Sequence, residues 1–218
     1  MSIPTIVPYG MPAGDALPVN TVHWQPEPSR AALLIHDMQR YFLGFFPPGQ
    51  DPVVPLVEHT RQIRDAAARL GIPVFYTAQP GGMSPRDRGL LQDVWGPGMS
   101  DDPDGRRVVE EVAPRPEDTV VTKWRYSAFV RSDLDRRLAR RGRDQLIICG
   151  VYAHVGCLMT ACDAFSRDIQ PFLVADAVAD FSADEHRMAL EYAARRCASV
   201  LSTRALLDAL EHRHAALT

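Results

Sequence analysis

Four places in this 218-residue chain put reactive or ligand-holding groups directly after short apolar runs. Asp37 follows Ala31-Ala32-Leu33-Leu34-Ile35, Gln79 follows 72–77, Lys123 follows 119–122, and the turn Gly150-Val151-Tyr152-Ala153-His154-Val155-Gly156-Cys157 follows 145–149. A carboxyl group with an ammonium beside it is an acid–base pair, and an amide can orient a carboxylate. The first N–H groups of a helix opening near Gly156 suit an anionic oxygen. The lysine stands out by composition: of 24 basic residues it is the only one that is not arginine. Where arginine serves every other cationic position, a compact ammonium has a reason of its own, such as a tight seat against one carboxylate.

For these groups to meet, the runs that carry them must be parallel strands ending on one edge. Residues 31–35 are apolar without alternation, as a strand covered on both faces requires. Leu56, Ile63, Ala67 and Leu70 share one face of a helix that Gly71 and Pro73 stop. Strands then follow at 72–77, 119–122, 145–149, 171–175 and 199–203, with helices predicted over 132–141, over the all-apolar stretch 157–162, and from a capping box at Ser182-Ala183-Asp184-Glu185 to about Cys197. Strand–helix alternation predicts an α/β fold, a three-layer α/β/α Rossmann-like domain with a six-stranded parallel sheet. In such sheets ligands sit outside the carboxyl ends of the strands, where strand order reverses. Residues 80–104, with five glycines and four prolines, form a long connection of the kind that is usually functional. Six of the 18 prolines fall in 1–28, which reads as an extended arm and a reasonable subunit contact, with 29–218 as a single domain.

Composition narrows the partners. A net charge of -3 offers no basic face to a phosphate backbone, so no nucleic acid is expected. No apolar run approaches the roughly 20 residues that cross a bilayer, so no membrane is expected either. The opening residues show no secretory signal, and a cytoplasmic location follows. Cys149, Cys157, Cys162 and Cys197 lack CxxC spacing and read as free packing thiols. The histidines show no close metal pair except His212 and His214, so no metal and no cofactor are expected.

The segments 36–42 (H-D-M-Q-R-Y-F), 122–129 (T-K-W-R-Y-S-A-F), 150–156 (G-V-Y-A-H-V-G), 168–172 (D-I-Q-P-F) and 175–182 (A-D-A-V-A-D-F-S) resemble, in this order, the isochorismatase-like hydrolases. The resemblance covers 31–206. Nicotinamidases and N-carbamoyl amidases of that family use an Asp, a Lys and a Cys six residues into the G-V turn. Asp37 and Lys123 match, but Gly156 stands at the cysteine position. Cys157 comes one residue late, which turns its side chain by about 100° and away from the pocket. Nicotinamidases also hold a metal with residues that 77–83 lacks. The departure looks like the isochorismatase branch, and 76–81 with 88–91 are most similar to its stand-alone phenazine-pathway members.

What the resemblance implies is hydrolysis of an enolpyruvyl ether, in isochorismate or 2-amino-2-deoxyisochorismate, to release pyruvate. Such a reaction needs a general acid at the vinyl carbon and no nucleophile, with glycine leaving space where amidases keep a thiol. Asp37 is then the acid and Lys123 its partner. Gln79, Arg88, Tyr152 and the Gly156 amide would hold the two carboxylates, while Phe42, Trp95 and Tyr126 would wall the ring. His154, in an apolar turn, reads as a local structural group. The family also implies a homodimer and a cis peptide near Val151-Tyr152. Two other readings stay open on the residues alone: a cysteine amidohydrolase using Cys157 or Cys162, and a silent relative that only binds.

Overall fold

The computed structural model describes residues 3–12 and 14–215. In chain order it comprises β1 (Ala31–His36), α1 (Arg40–Leu43), α2 (Val53–Arg69), β2 (Val74–Ala78), α3 (Pro85–Arg88), α4 (Leu91–Trp95), α5 (Pro103–Arg106), β3 (Thr119–Thr122), α6 (Leu134–Arg140), β4 (Gln145–Val151), α7 (Leu158–Phe165), β5 (Gln170–Ala179), α8 (Ala183–Arg196), β6 (Ser199–Leu201) and α9 (Thr203–Ala215). A π-type turn over Ala153–Cys157 joins β4 to α7. All strands pair in parallel, in the order β3-β2-β1-β4-β5-β6. The order reverses between β1 and β4, so a crevice opens between the ends of those strands, at Asp37 and at the Gly150 turn.

Alternation along each strand builds two cores. Ala32 and Leu34 of β1, with Leu146 and Ile148 of β4, pack against Leu134, Leu138, Ala161, Ala189 and Leu190 from α6, α7 and α8. Ala31, Leu33 and Ile35, with Ile147 and Cys149, pack against Leu56, Ile63, Leu206 and Leu210 from α2 and α9. Continuous apolar strands are thus buried on both faces, which is what the uninterrupted run 31–35 requires.

Several boundaries differ from the sequence expectation. The connection 80–104 contains most of three short helices, each opened by proline or leucine and the first two closed by Gly89 and Gly96 at positive φ. β5 continues past Ala175 to Ala179, because the Asp176 carboxylate leaves the sheet to accept hydrogen bonds from the Thr203 N–H and hydroxyl, both at 2.7 Å. The chain leaves the sheet at Leu201, earlier than 203, since Ser202 accepts from the Ala205 N–H and starts α9. Ser182 caps α8 as expected: its hydroxyl accepts from the Glu185 N–H at 3.2 Å, while Glu185 turns back to the Ser182 hydroxyl, which donates to its carboxylate at 2.8 Å.

The proline-rich arm packs on the domain that follows it. Ile6 is buried and its N–H donates to the Phe45 carbonyl at 3.1 Å. The Tyr9 hydroxyl accepts from the Asp180 N–H at 2.7 Å, and Asn20 exchanges two hydrogen bonds with Val200. Among the described residues, no helix is long and apolar enough to cross a membrane.

Candidate active site

Asp37 is the first residue beyond β1 and adopts a left-handed φ of 50°, a conformation aspartate tolerates better than most residues. That kink turns its carboxyl into the crevice. Thr77 of β2 fastens it: the hydroxyl accepts from the Asp37 N–H at 3.0 Å and donates to Oδ1 at 2.5 Å. Lys123 Nζ donates to Oδ2 at 2.9 Å and Gln79 Nε2 to the same oxygen at 3.2 Å. Both charged side chains are nearly sealed from solvent, at 3% and 5% exposure, so this pair is far from an ordinary surface ion pair. Burial pushes the Asp37 carboxyl up, but the Lys123 ammonium, the neighbouring His36 and the Thr77 hydrogen bond together outweigh it and hold the group below its ordinary value. Asp37 and its partners come from the ends of β1, β2 and β3, which explains why only the folded sheet assembles them.

The cavity around this cluster is lined in part by Arg88, Trp95, Tyr126, Tyr152, Phe42 and Gly156, so every residue that the resemblance assigns to the acid pair or to substrate holding borders it. Their groups are not all free. Arg88 is 6% exposed, its Nε donates to the Gly96 carbonyl at 2.9 Å, and its guanidinium lies on Gly98, where a β-carbon would stand 2.7 Å from Cζ. Among the described residues it has no carboxylate partner within ion-pair distance, so a buried cation faces the cavity awaiting an anion. Burial lowers its pKa below the ordinary arginine value, with the Arg125 charge adding to that. Trp95 Nε1 donates to the Tyr126 hydroxyl at 2.8 Å, which leaves that hydroxyl able to donate into the cavity.

Tyr152 and Gly156 differ from the carboxylate-holding roles that the resemblance implies. The Tyr152 hydroxyl donates to the Phe42 carbonyl at 2.7 Å, so the ring borders the cavity while the polar end serves the backbone. The Gly156 N–H donates to the Tyr152 carbonyl at 3.0 Å, and the Cys157 N–H to the same oxygen at 3.2 Å. The turn therefore engages the amide itself. The space that glycine was expected to leave is filled by the His36 imidazole. The peptide between Val151 and Tyr152 is cis.

Cys157 faces away from the cavity into the core beside Ala32 and Leu34, fully buried, and burial pushes its thiol well above the ordinary value. A thiol so placed is inert. His154 lies outside the cavity lining. Its Nδ1 meets Asp180 Oδ1 at 2.7 Å while its N–H donates to Oδ2 at 2.7 Å, tying the turn to the end of β5.

Sequence reasoning missed Gln39, Phe181 and Ile3. Gln39, fully buried, brackets residue 79: its Oε1 accepts from the Gln79 N–H at 2.8 Å and its Nε2 donates to the Gln79 carbonyl at 3.0 Å. Its place in the 36–42 motif was the available signal. Phe181 borders the cavity between Trp95 and Tyr152, with ring centroids 5.8 and 4.5 Å away. Ile3 brings the arm into the cavity wall, and no local pattern announces that.

A doubly wound sheet carries a buried Asp–Lys pair at its switch point, and Arg88, with no carboxylate partner among the described residues, lines the same cavity. The isochorismatase domain model matches residues 31–205, and the chain belongs to the isochorismatase family. It is 58% identical over 202 residues to the phenazine biosynthesis protein PhzD of Pseudomonas fluorescens, covering 92% of this chain and 96% of that protein. It is 54% identical over 212 residues to the isochorismatase of Bacillus subtilis, covering 97% of this chain and 68% of that protein. Among solved structures, a cysteine hydrolase from Pseudomonas syringae pv. phaseolicola superposes with a TM-score of 0.80 at 25% identity, covering 88% of this chain and 97% of that one. The chain is thus an isochorismatase-family hydrolase, similar to PhzD and to isochorismatases.

Proposed function

We propose that the protein hydrolyses the enolpyruvyl ether of 2-amino-2-deoxyisochorismate or isochorismate, with Asp37 as general acid. The observation that carries this reading is the buried Asp37–Lys123 pair in a cavity whose described lining includes no cysteine, with Cys157 packed into the core. Protonated Asp37 gives its proton to the terminal vinyl carbon, and the resulting oxocarbenium ion takes water at the adjacent carbon. Water's proton returns to the Asp37 carboxylate. The hemiketal then collapses: its hydroxyl gives up its proton to become the pyruvate carbonyl, the bond to the ring oxygen breaks, and that oxygen takes up a proton as a ring hydroxyl as pyruvate leaves.

The free protein holds Asp37 ionised, so substrate must supply the proton affinity. A dianion entering the cavity raises a nearby carboxyl by like-charge repulsion and by excluding water. Arg88 offers one carboxylate a bidentate seat. Gln79 both touches Asp37 and borders the cavity, and Phe42, Trp95 and Tyr126 enclose the ring. Tyr152 and Gly156 act through shape in this reading, with their polar groups engaged by the backbone.

High similarity along nearly the full length of PhzD favours the 2-amino substrate and a place in phenazine-type biosynthesis. The match to an isochorismatase favours the 2-hydroxy compound as the alternative. Purified protein given each compound, with released pyruvate coupled to lactate dehydrogenase, decides. Pyruvate from either supports ether hydrolysis, and the higher kcat/KM names the preferred substrate. Pyruvate from neither refutes the proposal.

A further inference from the structure

Gly156 is hemmed in by one residue. A β-carbon added there would stand 2.1 Å from His36 Cε1 and 2.9 Å from each ring nitrogen, whereas carbon atoms in contact sit about 3.5–4 Å apart. The imidazole has nowhere to go. It has no exposed surface, its Nδ1–H donates to the Val151 carbonyl at 2.9 Å, and its Nε2 faces the Thr160 hydroxyl at 3.4 Å. Its backbone is equally confined, since a β-carbon on Gly150 would stand 2.1 Å from the His36 carbonyl oxygen and 2.8 Å from its nitrogen. Position 36 and the turn after β4 therefore fit as one steric unit, immediately beside Asp37.

We propose that His36 is a positioning residue that makes this site nucleophile-free: its ring occupies the volume any side chain at 156 would need and pins the turn through Val151. While residue 36 is histidine, position 156 admits only glycine. The absence of a thiol at the reacting centre is then determined from β1 as much as from the turn, and restoring one takes two substitutions. A methyl at 156 would push the ring, and with it the adjacent Asp37, so the damage falls on turnover. The functional meaning of this inference rests on the ether-hydrolysis reading, while the steric coupling stands independently of it.

A double-variant cycle with Gly156→Ala, His36→Ala and the pair together tests it, reading Tm, kcat and KM for pyruvate release. Gly156→Ala is expected to lose on the order of 100-fold in kcat and to melt lower, while the pair recovers roughly tenfold in kcat over Gly156→Ala and regains part of the Tm, because the vacated ring volume accepts the methyl. A second arm uses iodoacetamide and peptide mass: Gly156→Cys alone stays unlabelled at 156 or fails to fold, whereas His36→Ala/Gly156→Cys folds and is alkylated there. Wild-type kcat, KM and Tm in Gly156→Ala, losses that simply multiply in the pair, or equal labelling in both backgrounds would overturn the inference. If the wild-type protein releases no pyruvate, the ether-hydrolase reading fails while the Tm cycle and the labelling still decide this one.

Discussion

Asp37 accepts hydrogen bonds from Thr77, Gln79 and Lys123, and of these only Lys123 carries charge. Burial pushes His36 down to about 4, with Lys123 adding to the effect, so its imidazole is neutral above that pH. The Asp37 proton is therefore governed chiefly by Lys123. Asp37→Asn, which keeps the shape and removes the acid, should cut kcat by about 10²–10⁴-fold with the fold intact by circular dichroism. Lys123→Met removes the group that holds Asp37 low and leaves burial to raise it. In the proposed reaction the reactive form is protonated Asp37, so the alkaline fall in kcat/KM should move to higher pH in that variant; a fall at unchanged or lower pH would contradict the assignment. Tyr152→Phe separates ring from hydroxyl. The lost bond to Phe42 should cost about 1 kcal/mol of stability while KM stays near wild type. The Asp37 and Lys123 positions were legible because each ends an apolar run, and Lys123 was singled out by composition. The engagement of the Tyr152 hydroxyl and Gly156 amide was not, since it depends on how one turn folds onto itself and onto Phe42.

The elements hold these groups through a few cross-links. β5 is followed by Asp180, which is fully buried and holds His154 through two hydrogen bonds. Burial lowers the His154 pKa, but the Asp180 hydrogen bond and charge outweigh it and raise the group above its ordinary value of 6.5. A folded-state pKa above the unfolded one adds stability that is fully present below the unfolded value and lost as pH rises through the folded one. The Tm difference between wild type and His154→Asn should therefore be larger at about pH 5.5 than at about pH 8.5. A constant difference would remove Asp180 from the account. The strand cores were legible because apolar runs without alternation mean two covered faces, and the Ser182 cap because capping is local. The length of β5 was not legible: Asp176 and Thr203 meet across 27 residues, and a polar residue near a strand end gives no local sign of such a partner.

At the scale of the whole molecule, the arm, the sheet edge and the connection 80–104 close one cavity from three sides. Ile6→Ala, which loosens the buried anchor beside Ile3, should raise KM more than it lowers the Tm of the core. The fold class was legible from strand–helix alternation, whereas the arm's docking on its own domain was hidden because proline content specifies an extended shape without a partner. The proposed reaction uses no thiol, which gives a further test. The hydrogen bond with Cys197, with sulfurs 3.6 Å apart, lowers Cys162 to about 7, so iodoacetamide should modify Cys162 first and leave pyruvate release intact. Loss of activity in step with labelling would revive the amidohydrolase reading. The most direct test follows the bond that breaks. Turnover in H2(18)O, with the ring product analysed by mass spectrometry, should leave the new ring hydroxyl unlabelled, because protonation of the vinyl carbon sends water to the pyruvate carbon; 18O in the ring hydroxyl would mean cleavage on the ring side and would contradict Asp37 acting at the enol ether.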